Sequence, residues 1–463
     1  MGLLVALFTL AALVWMIPII RGARLLRVSL VVLVTGTIFG PKFFAIDGPI
    51  QFSLDRVLWF GMLVMAVIHL RIGNVQLPAL TRIDWLLLAF TGFLLLGAMR
   101  GGSPPTGSSP LARWLFYIVM PLGVYAVGRT VRISAADVRV LTYTLLGLGV
   151  YLAATAVLEV AGLHAAVFPK YILDPQVFEF YGRGRGPLLN PAGNGMVITI
   201  ALTLAILGII KSDRRAKLIY AAITVVLLCG TYATLTRSVW LGAIGVIGII
   251  AMVYCPRWVR VLGLAATLLL GGAMMMGLKD QLLSMKRDKQ LSAAEAAKSV
   301  ELRPLLAIVA WEMFQDRPII GHGFGHYFQH NRPYHDTRKY GLPLEEVREY
   351  GQHNTFLAIL VDAGLIGVLL YLSILVMLLA VGWRLAKERI DPAAQRIGVL
   401  LLGTLVIYFC NAMFHDVLVI PMVQMFLLFV AGCSVTLYQT GIATEGQRVT
   451  SAMPVLRRAQ LSH

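Results

Sequence analysis

Four arginines and one histidine have the side chains and the neighbours to grip a phosphate and take up a proton. Arg237 lies in TLTRSVW, held between Thr236 and Ser238. Arg303 lies in ELRPLLAIVAW, and Arg183 and Arg185 lie in YGRGRGP. A planar guanidinium suits the bidentate grip of a phosphate or diphosphate. For Arg183 and Arg185 a second reading stands beside this one, in which each snorkels to lipid headgroups or pairs with a loop carboxylate. At Arg237 there is no room for a loop, and the functional reading is preferred. His353 and Asn354 open the stretch HNTFLAILVDAGLIG. An imidazole with a pKa near 6.5 can accept a proton at neutral pH, as a general base must. Asn354 could orient it or bind a hydroxyl.

Other polar groups are less specific. Asp362 falls inside the apolar run that follows His353, where a carboxylate serves either function or a structural partner. Gly364 and Gly367, three residues apart, read as places of close helix packing. His322, His326, His330 and His335 recur in IIGHGFGHYFQHNRPYHD. Their spacing resembles metal-ligand spacing on a helix, but Gly321, Gly323 and Gly325 argue against a helix there, and neither a nearby cysteine nor an HExxH motif supports a metal site. No metal or other cofactor is therefore expected. No nucleophile elbow, phosphate-binding glycine loop or kinase signature occurs, and the outer carboxylates form no glycosidase pair. The cysteines (Cys229, Cys255, Cys410 and Cys433) sit in or beside apolar runs and read as small hydrophobes.

The elements that must position these residues are membrane helices. Of 463 residues, 58% are hydrophobic and 14% charged, against about half and a quarter in an ordinary soluble domain. The excess falls in runs of about 20 residues, long enough to cross a bilayer, and within hydrocarbon such runs must be helical. Hydropathy marks about thirteen spans, near 2–20, 25–43, 53–70, 84–99, 112–128, 137–161, 190–210, 217–234, 238–255, 259–277, 353–381, 395–414 and 419–438. The fold class expected is an all-α polytopic transmembrane bundle of about 12–13 helices with a large extracytoplasmic loop. The opening run lacks a basic n-region and a small-residue cleavage pattern, and reads as a retained helix.

Every second loop is basic: Arg21, Arg24 and Arg27; Arg71 and Arg82; Arg129, Arg132 and Arg139; Lys211, Arg214, Arg215 and Lys217; Arg257 and Arg260; Arg384, Lys387, Arg389 and Arg396; and the Arg448–Arg458 tail. This alternation places those loops in the cytoplasm and accounts for the net charge of +17 without nucleic acid. Two long loops, 161–189 and 278–352, then face outward. The second has helical patterning around 293–298 and 305–314, and a loop of this size is often functional. The chain divides into N-terminal helices with the first outer loop (1–189), a core with the long loop (190–381), C-terminal helices (382–438) and a cytoplasmic tail (439–463).

At these residues the chain resembles the O-antigen ligase/polymerase superfamily of bacterial envelope glycan transferases. TLTRSVWLGA, with Arg237, is similar to the family's T-x-[ST]-R-x-x-W-like block. ELRPLLAIVAWEMFQDRPIIGHGFGHYF resembles the block that carries Arg303, Trp311, Pro318, Gly321, Gly323 and Tyr327. HNTFLAILVDAGLIG resembles the block with His353, Asn354, Gly364 and Gly367, and LLNPAGNGMVITI, with Asn194, is similar to a weaker one. The resemblance covers roughly residues 190–370. An acidic, tyrosine-bearing segment, Tyr334–Tyr350, matches nothing in it and could shape acceptor choice.

The resemblance implies a metal-independent, inverting glycosyltransferase in the bacterial inner membrane, working on the periplasmic side. Its donor would be a glycan on undecaprenyl diphosphate, and its partners would include membrane lipids. His353 would be the base, Arg237 and Arg303 would hold the diphosphate, and Asn354, Arg183, Arg185 and Asn194 would bind substrate. The acceptor stays open: lipid A–core for a ligase, another lipid-linked repeat for a polymerase of O-antigen, capsule or exopolysaccharide, or a protein side chain. A transporter or flippase of an anionic lipid-linked substrate is the alternative of another class.

Overall fold

The computed structural model describes Gly22 and residues 24–40, 53–101, 109–177, 180–263, 293–337, 339–388 and 391–460, of which 293–301 and 442–460 are described by their backbone. Its principal helices are α1 (Leu25–Phe39), α2 (Leu54–Arg71), α3 (Arg82–Met99), α4 (Pro110–Thr130), α5 (Ala135–Ala161), α6 (Pro191–Lys211), α7 (Arg214–Ala233), α8 (Arg237–Tyr254), α9 (Ala293–Asp316), α10 (Thr355–Ala386), α11 (Pro392–Ala412) and α12 (Pro421–Gln460). The chain is all-α, without a strand among the described residues. Nine of these helices are long and apolar enough to cross a membrane. α1 is apolar but shorter, at 15 residues, and α2 carries Asp55, Arg56 and Arg71 at its ends. Eleven of the thirteen expected spans are thus helices here. The run 2–20 lies outside the described residues, and 259–277 does so beyond residue 263.

Local sequence sets the starts. Thr81 with Asp84, and Ser134 with Asp137, form reciprocal capping boxes. Prolines 110, 191, 392 and 421 each occupy a first helical position, where the missing N–H is no loss.

The bundle has two chemically different ends. At the basic end Arg129 is buried and donates to both carboxylate oxygens of Asp84, to Ala79 O, to Thr436 and to Gln439, joining α4, α3 and α12. Arg24 pairs with Asp137 at 3.3 Å at the same end. The two long loops lie at the other end. Tyr171 OH donates to Pro187 O at 2.8 Å, and His326 bonds the Ala98 carbonyl at the close of α3.

α10 is not one continuous helix. Gly364 has φ 61° and ψ −159°, a conformation that breaks it into Thr355–Ala363 and Leu365–Ala386. An unbroken helix would bond Leu365 N to Val361 O and Ile366 N to Asp362 O. Instead His322 N donates to Val361 O (2.8 Å) and Gly323 N to Asp362 O (2.9 Å), while Leu365 N and Ile366 N donate to Pro318 O (2.8 Å) and Ile319 O (3.2 Å). The loop after α9 therefore takes over both hydrogen bonds lost at the break. Gly364 serves as a helix break, which corrects its reading as a packing glycine, and the near neighbours of Gly367 are Ala363 and Ile359 of its own helix. The patterning expected at 293–298 and 305–314 belongs to one helix, α9, with Pro304 inside it. α9 and the loop share a small core of Leu306, Val309, Met313, Tyr327, Leu344, Val347 and Val361.

Gly364→Ala should test this clasp. Its methyl would stand 2.5 Å from Ile319 O at a left-handed φ, costing about 1–2 kcal/mol for the dihedral and about 1–3 kcal/mol for overpacking. Thermal unfolding of the purified chain in detergent should show that loss. Gly248→Ala, with nothing within 4 Å, should leave stability unchanged or slightly raised.

Candidate active site

Three helices, α6, α8 and α10, begin at the outer end, and each is entered the same way. Leu189, Leu235 and His353 have φ of 52°, 49° and 46°, and each directly precedes an N-cap residue: Asn190, Thr236 and Asn354. A left-handed conformation costs a non-glycine residue about 1–2 kcal/mol, so surrounding bonds must hold each entry. Asn354 does so at α10. Its Oδ1 accepts from Phe356 N (2.9 Å) and Leu357 N (3.1 Å), and its Nδ2 donates to Met413 O (2.9 Å).

The turn before α8 is held by the TLTRSVW residues and by Arg183. Trp240 stacks on Tyr232 with ring centroids 5.3 Å apart, and its Nε1 donates to Thr231 O. Arg183 donates to Thr236 Oγ1 (2.6 Å), Leu235 O (3.2 Å) and Thr234 O (3.4 Å). Arg237 is then the first residue of α8, half-buried. Beside it Ser238 Oγ donates to Asn411 Oδ1 at 2.9 Å.

Arg303 and His353 meet the same segment. The Arg303 guanidinium lies over the Phe414 ring, 5.7 Å from its centroid. Thr355, next to Asn354, donates to His415 O (3.0 Å) and accepts from Val417 N (2.8 Å). Phe414 N bonds Asn411 O at 3.0 Å. Arg237, Arg303 and His353, separated widely in sequence, thus converge on one turn at the end of α11, through their own contacts or those of the adjacent residue.

Charge in the site follows from this packing. Desolvation by the groups packed around it, and then the positive charge of Arg303, hold the His353 imidazole below its ordinary pKa. Burial pushes Asp416 up to about 6, against the pull of its bond from Leu418 N and the charge of Arg113.

The other expected site residues lie behind this face. Arg185 is 1% exposed and donates to the carbonyls of Ile172, Asp174 and Val177. Asn194 is wholly buried and donates to Gly184 O at 3.0 Å. Glu159 completes the loop by accepting from Gly186 N at 2.9 Å. The histidine cluster is structural too. His322, His326 and His335 each bond a backbone carbonyl, of Met313, Ala98 and Leu344. Among the described residues no three metal-ligating side chains come together.

Asn411, Phe414, His415 and Asp416 were not singled out by the sequence reading. An amide inside an apolar run, followed by His-Asp at its outer end, was the available signal.

The helices and the site define a multi-pass membrane protein with a polar, arginine-bearing centre at the end opposite its basic loops. Residues 222–372 match the family model described as O-antigen ligase, and this match supports membership of the O-antigen ligase superfamily. The matched stretch contains Arg237, Arg303, His353 and the Gly364 break. No curated protein matches the chain.

Arg185→Met should separate an architectural role from surface binding. Removing the guanidinium leaves the buried Ile172 carbonyl and the half-buried Asp174 and Val177 carbonyls short of a donor, and Glu159 without a neighbouring positive charge. The expected loss is about 3–5 kcal/mol, read as reduced folded yield and a lower unfolding temperature in detergent.

Proposed function

We propose that the chain transfers a glycan from undecaprenyl diphosphate to an acceptor hydroxyl at the periplasmic face of the bacterial inner membrane. The convergence of Arg237, Arg303 and His353 on the Asn411–Phe414 turn is the observation that supports it most. Positive charge at that turn comes from two arginines and from the N-terminal dipole ends of α8 and α10, which favour an anion. The side carrying the basic loops is the cytoplasmic one, so this face opens outward.

In the proposed reaction the acceptor oxygen attacks the anomeric carbon as the bond to the diphosphate oxygen breaks. The electron pair of that bond leaves with undecaprenyl diphosphate, whose charge Arg237 and Arg303 hold. The hydroxyl proton passes to His353. A single displacement inverts the anomeric centre. The leaving group is already a weak base, so no protonating acid and no metal are called for. Arg183, Arg185 and Asn194 act as positioning residues: Arg183 braces the turn that presents Arg237, and the other two hold the loop that carries Arg183.

A transporter reading draws on the broken helix α10, since carriers commonly place ligands at such breaks. The loop backbone occupies this break, and the arginines gather at one end of the bundle, not midway through it. Transfer is the better reading.

Purified protein in lipid, given an undecaprenyl-diphosphate oligosaccharide with EDTA present, should transfer it either to lipid A–core or to a second donor molecule; the product separates ligase from polymerase. Arg237→Ala should lower the rate by about 10²–10³ and His353→Ala by about 10²–10⁴. Full activity in either variant, folded and at normal level, would refute the assignment.

A pH–rate profile tests the Arg303–His353 coupling. The base works when neutral, and its pKa is held low, so the acidic limb should fall below about 6.5, the ordinary imidazole value. Arg303→Gln removes one of the lowering causes, so the limb should move to higher pH while the maximal rate drops.

A further inference from the structure

Phe414 stands where two parts of the site touch the same turn. The Arg303 guanidinium lies over its ring, 5.7 Å from the centroid. The carbonyls on either side of it are both held by the entry to α10. Met413 O accepts from Asn354 Nδ2 (2.9 Å), and His415 O accepts from Thr355 Oγ1 (3.0 Å). Asn354 and Thr355 directly follow His353. One residue is therefore tied through its backbone to the histidine's segment and through its ring to the arginine.

Hydrogen bonds fix the backbone of this turn before any ligand arrives. Phe414 N and His415 N both donate to Asn411 O, at 3.0 and 2.9 Å. Asn411 is wholly buried; its Nδ2 donates to Ile407 O (2.9 Å), and its Oδ1 accepts from Ser238 beside Arg237. Val417 N closes the far side by donating to Thr355 Oγ1 at 2.8 Å. At 39% exposure Phe414 itself is not part of the bundle's core.

An aromatic face suits an arginine that must grip a phosphate. A carboxylate partner would occupy N–H donors of the fork and offset its charge. A ring face within about 6 Å attracts the guanidinium through its quadrupole and uses none of those donors. An arginine side chain has many rotamers, and a fixed ring beneath it removes some of that freedom in advance.

The contact also bears on how close a positive charge comes to the imidazole. The charge of Arg303 reaches His353 and, after desolvation, helps to hold that imidazole below its ordinary pKa. The Tyr350 ring is a second neighbour of His353, 6.3 Å away between centroids. His415 and Asp416 are the other titratable groups of the turn; Asp416 accepts from Leu418 N and feels the charge of Arg113.

We infer that Phe414 is a positioning residue, whose ring holds Arg303 at a set distance from His353 through a contact that uses none of the guanidinium's donors. Its effect on rate rests on the transferase reading above. Its effect on the titration of His353 does not.

The test uses the full chain, labelled at histidine, in lipid nanodiscs. Nuclear magnetic resonance follows the His353 imidazole through pH, its signal assigned by its absence in His353→Gln. Transfer from an undecaprenyl-diphosphate oligosaccharide is timed in parallel. Phe414→Leu frees the guanidinium to move away, so the His353 titration and the acid limb of the rate should both move to higher pH. Its kcat should fall about two- to fivefold, as expected for loss of an exposed cation–π contact. Phe414→Trp keeps a ring and should restore both. Phe414→Leu added to Arg303→Gln should change neither further, because the partner that it positions is gone. Thermal unfolding identifies any variant that has lost its fold, and Phe414→Met then replaces Phe414→Leu with the same shift expected.

An unmoved His353 titration in Phe414→Leu would overturn the inference. So would an equal loss of rate in the Arg303→Gln background, which is what a merely structural role predicts. If the native chain transfers to no acceptor, the transferase reading falls, and the titration alone decides the place of Phe414.

Discussion

Four backbone hydrogen bonds between the Pro318–Gly323 loop and α10 carry much of the architecture at the outer end. Within a membrane protein an unpaired backbone group has no water to turn to and costs several kcal/mol. A break at Gly364 is therefore tolerable only if another backbone supplies the missing partners. The loop supplies them as two donors and two acceptors, and can approach closely enough because Gly321 and Gly364 carry no side chains. α9, the loop and the first half of α10 become one mechanical unit as a result. That unit carries both Arg303, on α9, and His353, at the entry to α10, close enough for the charge of the first to act on the second.

Strain is collected where the chemistry is proposed. Leu189, Leu235 and His353 take left-handed conformations at three helix entries, and caps and carbonyl contacts from elsewhere in the chain hold them there. Buried arginines work in the same direction. Arg183 and Arg185 direct their guanidinium groups to backbone carbonyls, which satisfies a loop that would otherwise carry unpaired acceptors within the protein. The same side-chain chemistry thus serves two ends, with Arg237 and Arg303 half-buried at the candidate site and the other two holding the scaffold.

Much of this was legible from the residues. The alternation of basic loops assigns the two ends of the bundle, and the helices that meet there do so consistently, with Arg129 at one end and Arg183 at the other. The blocks around Arg237, Arg303 and His353 stand out because polar groups at membrane boundaries are few. Other features were not legible. The spacing of Gly364 and Gly367 fits a packing stripe as well as a break, because a helical pattern continues on both sides. The Asn411–Asp416 segment carries no motif, since its part is to receive contacts from α8, α9 and α10, which are remote in the chain.

Hydrophobic run length and charge alternation depend on the chain alone, so the sequence by itself determined an all-helical membrane bundle, its two unlike ends, and the set of arginines and the histidine able to do chemistry. That Arg183 and Arg185 are buried against backbone carbonyls while Arg237 and Arg303 stay half-buried was decided only by tertiary structure. Arg183, Arg185, Arg237 and Arg303 are the same side chain in similar outer-loop settings. What buries Arg183 and Arg185 is the set of carbonyls that folding brings within about 3 Å, from residues 234 and 235 for Arg183 and from residues 172–177 of the same loop for Arg185.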